Sequence, residues 1–170
     1  MKYTKLPVAL SFFMCYYDAY LNGYDSITIF EDDIKFEASP KQIKSLVTEF
    51  LETKQEIIFL GYCWHKCKNK SEHKQVSQNI YQIPFKSSIM CNHALSMKMG
   101  FISKYVKRFP FPFYTTTNDS SLSTYMITNK IKKAIPRRPV VSQNYSLLKS
   151  NNGNNNKNIH KTTCDLGPLL

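Results

Sequence analysis

No apolar run in this chain approaches the ~20 residues of a membrane-spanning helix, so no transmembrane segment is expected. Acids are scarce: 12 Asp+Glu stand against 23 Lys+Arg, leaving a net charge of +11. The imbalance favours anionic partners without choosing among nucleotide phosphates, nucleic acid and an anionic membrane face. No internal repeat is visible. A small disulfide-stapled scaffold is also disfavoured. The cysteines Cys15, Cys63, Cys67, Cys91 and Cys164 are odd in number and unevenly spaced. A Cys63–Cys67 or Cys63–Cys91 bridge stays open should the chain meet an oxidising lumen.

What is present is globular. At 170 residues and 42% hydrophobic content, the chain fits one domain with a sizeable core. Met1–Lys5 followed by Leu6–Tyr17 has the outline of a signal sequence. Pro7, the Tyr16-Tyr17 pair and the lack of a small-x-small cleavage site argue against it. A helix over 9–21 reads better, with Leu10, Phe13, Met14, Tyr17 and Leu21 on one apolar face. The cytoplasm is therefore the expected compartment, a secretory lumen the alternative if residues 1–17 act as a signal.

Asn22-Gly23 is a helix stop. Residues 24–36 are expected to form a buried strand, YDSITIF running into Glu31-Asp32-Asp33 and then Ile34-Lys35-Phe36. Ser39-Pro40 opens a helix striped by Ile43, Leu46, Val47, Phe50 and Leu51. Further strands are expected at 55–62, 79–84, 87–91 and 139–141, with helices at 96–109 and 120–130. Loops are expected at 64–75, which is lysine-rich, and at 110–117, which is aromatic. Beyond 148 the Asn-rich tract, residues 149–170, is expected to be disordered. Strands alternating with helices indicate an α/β fold.

Three consecutive carboxylates at the end of an apolar strand repel one another unless a cation, donors or water compensate. Mg²⁺ or Mn²⁺ does this well, taking one or two carboxylates and leaving positions for phosphate oxygens. In open α/β sheets ligands lie beyond the carboxyl ends of strands, where this triplet stands. A solvated strand-to-helix turn is the plainer reading of such a triplet.

The order of several blocks resembles glycosyltransferase family 25, which comprises bacterial lipopolysaccharide sugar transferases and collagen hydroxylysine galactosyltransferases. Ile27–Ile34, with Glu31-Asp32-Asp33 at its centre, is similar to that family's version of the Asp-x-Asp element. Ile57–Tyr62, Cys91–Ser96, Asn118-Asp119 and Pro139–Gln143 resemble later blocks in the same order. The likeness covers roughly residues 8–148. It implies a GT-A-like (Rossmann-like) mixed sheet flanked by helices over 1–148, lacking the family's N-terminal donor-binding strand. Where the family often has Ser-His before its helix, this sequence has Ser11-Phe12.

By the same resemblance the partners are a nucleotide-sugar donor, a UDP-hexose, and a glycan, lipid or protein hydroxyl as acceptor, with Mn²⁺ or Mg²⁺ as cofactor. Asp33 and Asp32 would ligate the metal. Glu31, Asp32, Asp33 and Gln143 would contact the donor assembly, and transfer would invert the anomeric centre. Asp119 is the candidate general base, with a helix N-cap as its alternative role. Gln143 is equally readable as a loop amide. His93 is readable as a cleft residue or a satisfied core histidine. The run Lys130, Lys132, Lys133, Arg137, Arg138 reads either as neutralising a diphosphate or as a solvated basic face.

Two other classes compete. One is a noncatalytic relic of the transferase fold that acts in binding. The other is a basic nucleic-acid binder, disfavoured because the aromatics fall in apolar stripes and no recognition motif is present. Cys63, His65, Cys67 and His73 offer zinc ligands at spacings unlike those of structural sites.

Overall fold

The structure, a computed structural model, describes residues 5–63, 72–109 and 118–144. Outside them lie most of the lysine-rich loop with His65 and Cys67, the aromatic loop at 110–117, and the tail from 149 onward. The described elements, in chain order, are α1 (Lys5–Asn22), β1 (Ser26–Phe30), β2 (Ile34–Phe36), α2 (Pro40–Glu52), β3 (Ile57–Cys63) and β4 (Lys74–Gln75). There follow β5 (Ile80–Gln82), β6 (Met90–Lys98), α3 (Met99–Arg108), α4 (Asn118–Thr128), β7 (Lys133–Pro136) and β8 (Val141–Gln143).

The fold is α/β, built on a mixed six-stranded sheet ordered β1-β6-β3-β7-β5-β4, with a separate two-stranded ribbon of β2 and β8. Among the described residues only the β3–β7 pairing in the sheet is parallel. Alternation along β3 sends Ile57 and Phe59 into one core layer, with Phe12, Tyr16, Phe101, Tyr105 and Leu122 from α1, α3 and α4. Ile58 and Leu60 enter the other, with Ile43, Leu46 and Phe50 of α2. The sheet is thus covered on both faces. At Gly61 the register against β6 shifts. The extra residue reverses the alternation, so Tyr62 joins the layer of Phe59 rather than that of Leu60.

Several local signals are realised as written. Gly23 adopts φ +65° and the Tyr24 N–H reaches the Ala19 carbonyl at 3.2 Å, the left-handed helix terminus that Asn-Gly favours. Ser39 caps α2 and completes a capping box with Gln42. At the far end of α2, the Lys98 ammonium donates to the Leu51 and Thr53 carbonyls at 2.8 and 2.6 Å. The last turn thereby gains a cation for its unpaired carbonyls.

Other expectations are corrected. Residues 24–36 are not one buried strand. β1 stands at one end of the described sheet and is half-exposed along its length. The chain then turns at Asp32-Asp33 and enters β2 in the ribbon. The face of α1 carrying Leu10, Met14, Tyr17 and Leu21 is exposed, and Ala9, Phe12, Tyr16 and Ala19 are buried instead. α1 is apolar around more than half its circumference, so its periodicity offers two stripes and packing on α3 and the sheet selects one. Of the expected face only Phe13 is buried. Residues 92–98 are the body of β6 rather than a loop and a helix start, because β1 and β3 bond to them from both sides. The basic run contains β7, which is buried throughout. Lys133 is fully buried there, its ammonium donating to the carbonyls of Phe85 and Ser87.

Candidate functional site

The acidic link between β1 and β2 lies where three segments meet. β1 and β3 run in the same direction, both antiparallel to β6. The carboxyl ends of β1 and β3 and the amino end of β6 therefore share one rim of the sheet. The Glu31 N–H extends the β1–β6 ladder by donating to the His93 carbonyl at 2.9 Å. The ribbon closes over the same rim. Val140 N–H bonds the Leu60 carbonyl at 2.9 Å, and Asn144 N–H bonds the Asp33 carbonyl at 2.6 Å.

This arrangement separates the three acids by role. Asp32 is exposed. Asp33 is half-buried, and its Oδ2 accepts a hydrogen bond from Gln143 Nε2 at 2.9 Å. Its Oδ1 is buried without a partner. Glu31 is half-buried, and burial, reinforced by the charges of Asp33, Asp119 and Asp32, raises its carboxyl from the ordinary 4.5 to about 7. Near neutral pH both its protonated and its charged forms are populated.

Asp119 comes from a segment 86 residues beyond Asp33 in the numbering, yet it lies within electrostatic reach of Glu31. It sits in the first turn of α4 with its side chain directed at β6, where Oδ2 accepts the Cys91 N–H at 3.2 Å. The Asn92 N–H also favours its charged form, and burial outweighs both, so its carboxyl is raised above the usual value. Cys91, which is disulfide-bonded, takes φ +64°. A non-glycine residue adopts that backbone only at some cost, and here it accompanies two consecutive N–H groups that serve one carboxylate. Asp119 thus combines a first-turn position with a long-range anchoring role, which spacing alone could not separate.

His93 is the residue whose placement the sequence left open. It is buried, neither ring nitrogen completes a hydrogen bond, and burial lowers its pKa against the opposing pull of Asp33 and the Val141 carbonyl. The imidazole is therefore neutral at pH 7. It fits only because position 61 is glycine: a Cβ there would stand 2.4 Å from His93 Nε2 and 2.5 Å from the Val141 oxygen. Gly61 and Asn92 were not singled out individually by sequence reasoning. A glycine inside a core strand signals a bulge or a close approach, and that was the available clue. Asn92 carried none, although both its amide atoms are buried and unpartnered.

Near the rim, Asp33 Oδ1 and the two His93 nitrogens are buried without a hydrogen-bond partner, and His93 lies within electrostatic reach of Asp33. Each such group costs on the order of 1–3 kcal/mol in a closed protein. A polar ligand or ion reaching Asp33 and His93 would relieve that cost. Among the described residues no three acid, histidine or cysteine side chains form a ready-made metal cage. A hard cation that takes only one or two carboxylates does not require such a cage. Of the zinc candidates, His65 and Cys67 lie outside the described residues. Lys133, bound to backbone carbonyls in the core, is not available to neutralise a diphosphate. No protein-family model matches the chain, and no curated protein is similar to it at a significant level.

Proposed function

We propose that the protein is a GT-A-like glycosyltransferase that moves a hexose from a nucleotide-sugar donor to a hydroxyl acceptor with inversion. The observation that carries this reading is the convergence of Glu31, Asp33 and Asp119 at the carboxyl-end rim of the sheet, close enough to raise the Glu31 carboxyl, with Asp33 Oδ1 buried and without a partner. Such a rim is where α/β sheets hold their ligands.

Asp33 would hold a divalent cation, its Oδ2 kept in place by Gln143 and its Oδ1 left for the metal. The exposed Asp32 would be a second ligand. The cation supplies charge stabilisation for the departing nucleoside diphosphate. In the transfer the acceptor oxygen bonds to the anomeric carbon as the bond to the diphosphate oxygen breaks, and the acceptor proton passes to a carboxylate. A base works best with a pKa near the operating pH. Glu31, raised to about 7, meets that condition, while Asp119 is already engaged by the Cys91 N–H. We therefore assign proton acceptance to Glu31 and the shaping of the rim to Asp119, through its hold on Cys91 and Asn92.

Thermal melts with UDP-galactose or UDP-glucose and Mn²⁺ test the reading. A ligand bound only by the folded state at a hundredfold excess over its Kd adds about 2.7 kcal/mol. The expected result is a rise in melting temperature that needs both metal and donor and disappears in Asp33→Ala. A chain that melts identically with every donor belongs to the noncatalytic class.

A further inference from the structure

We propose that the exposed stripe of α1, together with the basic end of α3, is a docking surface for an anionic lipid bilayer. This inference stands apart from the rim chemistry. Leu10, Met14, Tyr17 and Leu21 follow one another at i, i+4, i+7 and i+11 and are 37%, 53%, 40% and 64% exposed. They make an apolar line about 16 Å long on the side of the helix away from Phe12, Tyr16 and Ala19. Tyr24, 48% exposed, follows just beyond the helix end. Single exposed apolar residues are ordinary in proteins, but a continuous row of them marks an interaction surface.

Charge identifies the partner. Lys107 in the last turn of α3 places its ammonium 5.9 Å above the Tyr20 ring. Tyr20 lies 6.5 Å from Tyr17 in the stripe, so a cation flanks the apolar row. Arg108 follows it, and both are exposed. On the other flank the Asp18 carboxylate is engaged by Asn22 at 2.9 Å. A second copy of this chain would bring another +11 against the same surface and be repelled, whereas anionic headgroups attract it. Tyrosines at the edge of the row suit the headgroup level of a bilayer. No helix among the described residues is long and apolar enough to cross a membrane. An amphipathic helix of this kind instead lies in the plane of the interface.

Co-sedimentation of the full chain with vesicles decides the matter. Binding is expected to vesicles of equal parts phosphatidylcholine and phosphatidylglycerol, weakly or not at all to pure phosphatidylcholine, and less at high salt. Met14→Glu combined with Leu21→Glu should keep the wild-type circular dichroism and weaken binding at least about tenfold. Should that pair melt early, Leu21→Asn at the most exposed position gives the same readout with less disturbance. Equal binding by the folded variants would mean that charge alone holds the protein, and the proposal fails. It fails equally if the mixed vesicles leave the protein in the supernatant. A dimer in sedimentation velocity that the same substitutions dissolve would assign the stripe to a second copy and overturn the bilayer.

Discussion

Replacing Glu31 by Gln should stabilise the protein, and by an amount that grows with pH. Raising a carboxyl from 4.5 to about 7 corresponds to about 3 kcal/mol against its charged form, and partial solvent contact reduces this to about 1–2 kcal/mol. The folded protein holds this proton more tightly than the unfolded chain, so the contribution is fully present below pH 4.5. It is lost as pH rises through 7. Glutamine keeps the side-chain shape and cannot ionise. Plotted as variant minus wild type, stability should be flat below pH 4.5, climb between 4.5 and 7, and level off above. At about 2–4 °C per kcal/mol for a domain of this size, the climb is about 2–8 °C in melting temperature. Thermal melts of both proteins from acid to mildly alkaline pH supply the difference directly. Titrating groups remote from Glu31 cancel in it, whereas Asp33 and Asp119, which are coupled to Glu31, titrate with it and belong to the measured difference. Parallel curves across the whole range would refute the claim that Glu31 is desolvated beside Asp33 and Asp119.

Two further substitutions probe the frame around the site. Gly61→Ala puts a methyl against His93 and the Val141 carbonyl. It should cost about 1–3 kcal/mol in urea unfolding and weaken any metal-dependent donor shift, because the imidazole and the ribbon must both move; an unchanged midpoint would mean the bulge is looser than described. Lys133→Met concerns the buried ammonium, whose pKa burial lowers from 10.5 to about 8. Between those values the unfolded chain binds more protons than the folded one, so wild-type stability should rise with pH there. The methionine variant should lack that rise, as pH-resolved urea melts would show.

Much of the local structure was legible because it rests on neighbours in sequence. The Asn22-Gly23 terminus and the Ser39–Gln42 capping box each satisfy helix-end groups with atoms a few residues away, and so residue identity suffices to predict them. β6 shows the opposite case. Ala94, Leu95, Ser96 and Met97 have no strong strand preference, and they form the longest strand only because β1 and β3 supply ladders on both sides. α1 is intermediate: its helical character was readable, but not which of two apolar stripes would be buried.

The candidate site divides along the same line. Glu31, Asp32 and Asp33 announced themselves by adjacency, since like charges in a row need a physical account wherever they occur. That Asp32 faces water while Asp33 is held by Gln143, that Glu31 is desolvated near Asp119, and that His93 is seated against Gly61 were decided by the pairing of distant strands. Composition and spacing determined the charge, the acidic turn and the helix ends, because these depend on covalent neighbours. Burial and proton affinity belong to the tertiary structure, because the dielectric around a carboxyl is set by whatever the fold packs against it.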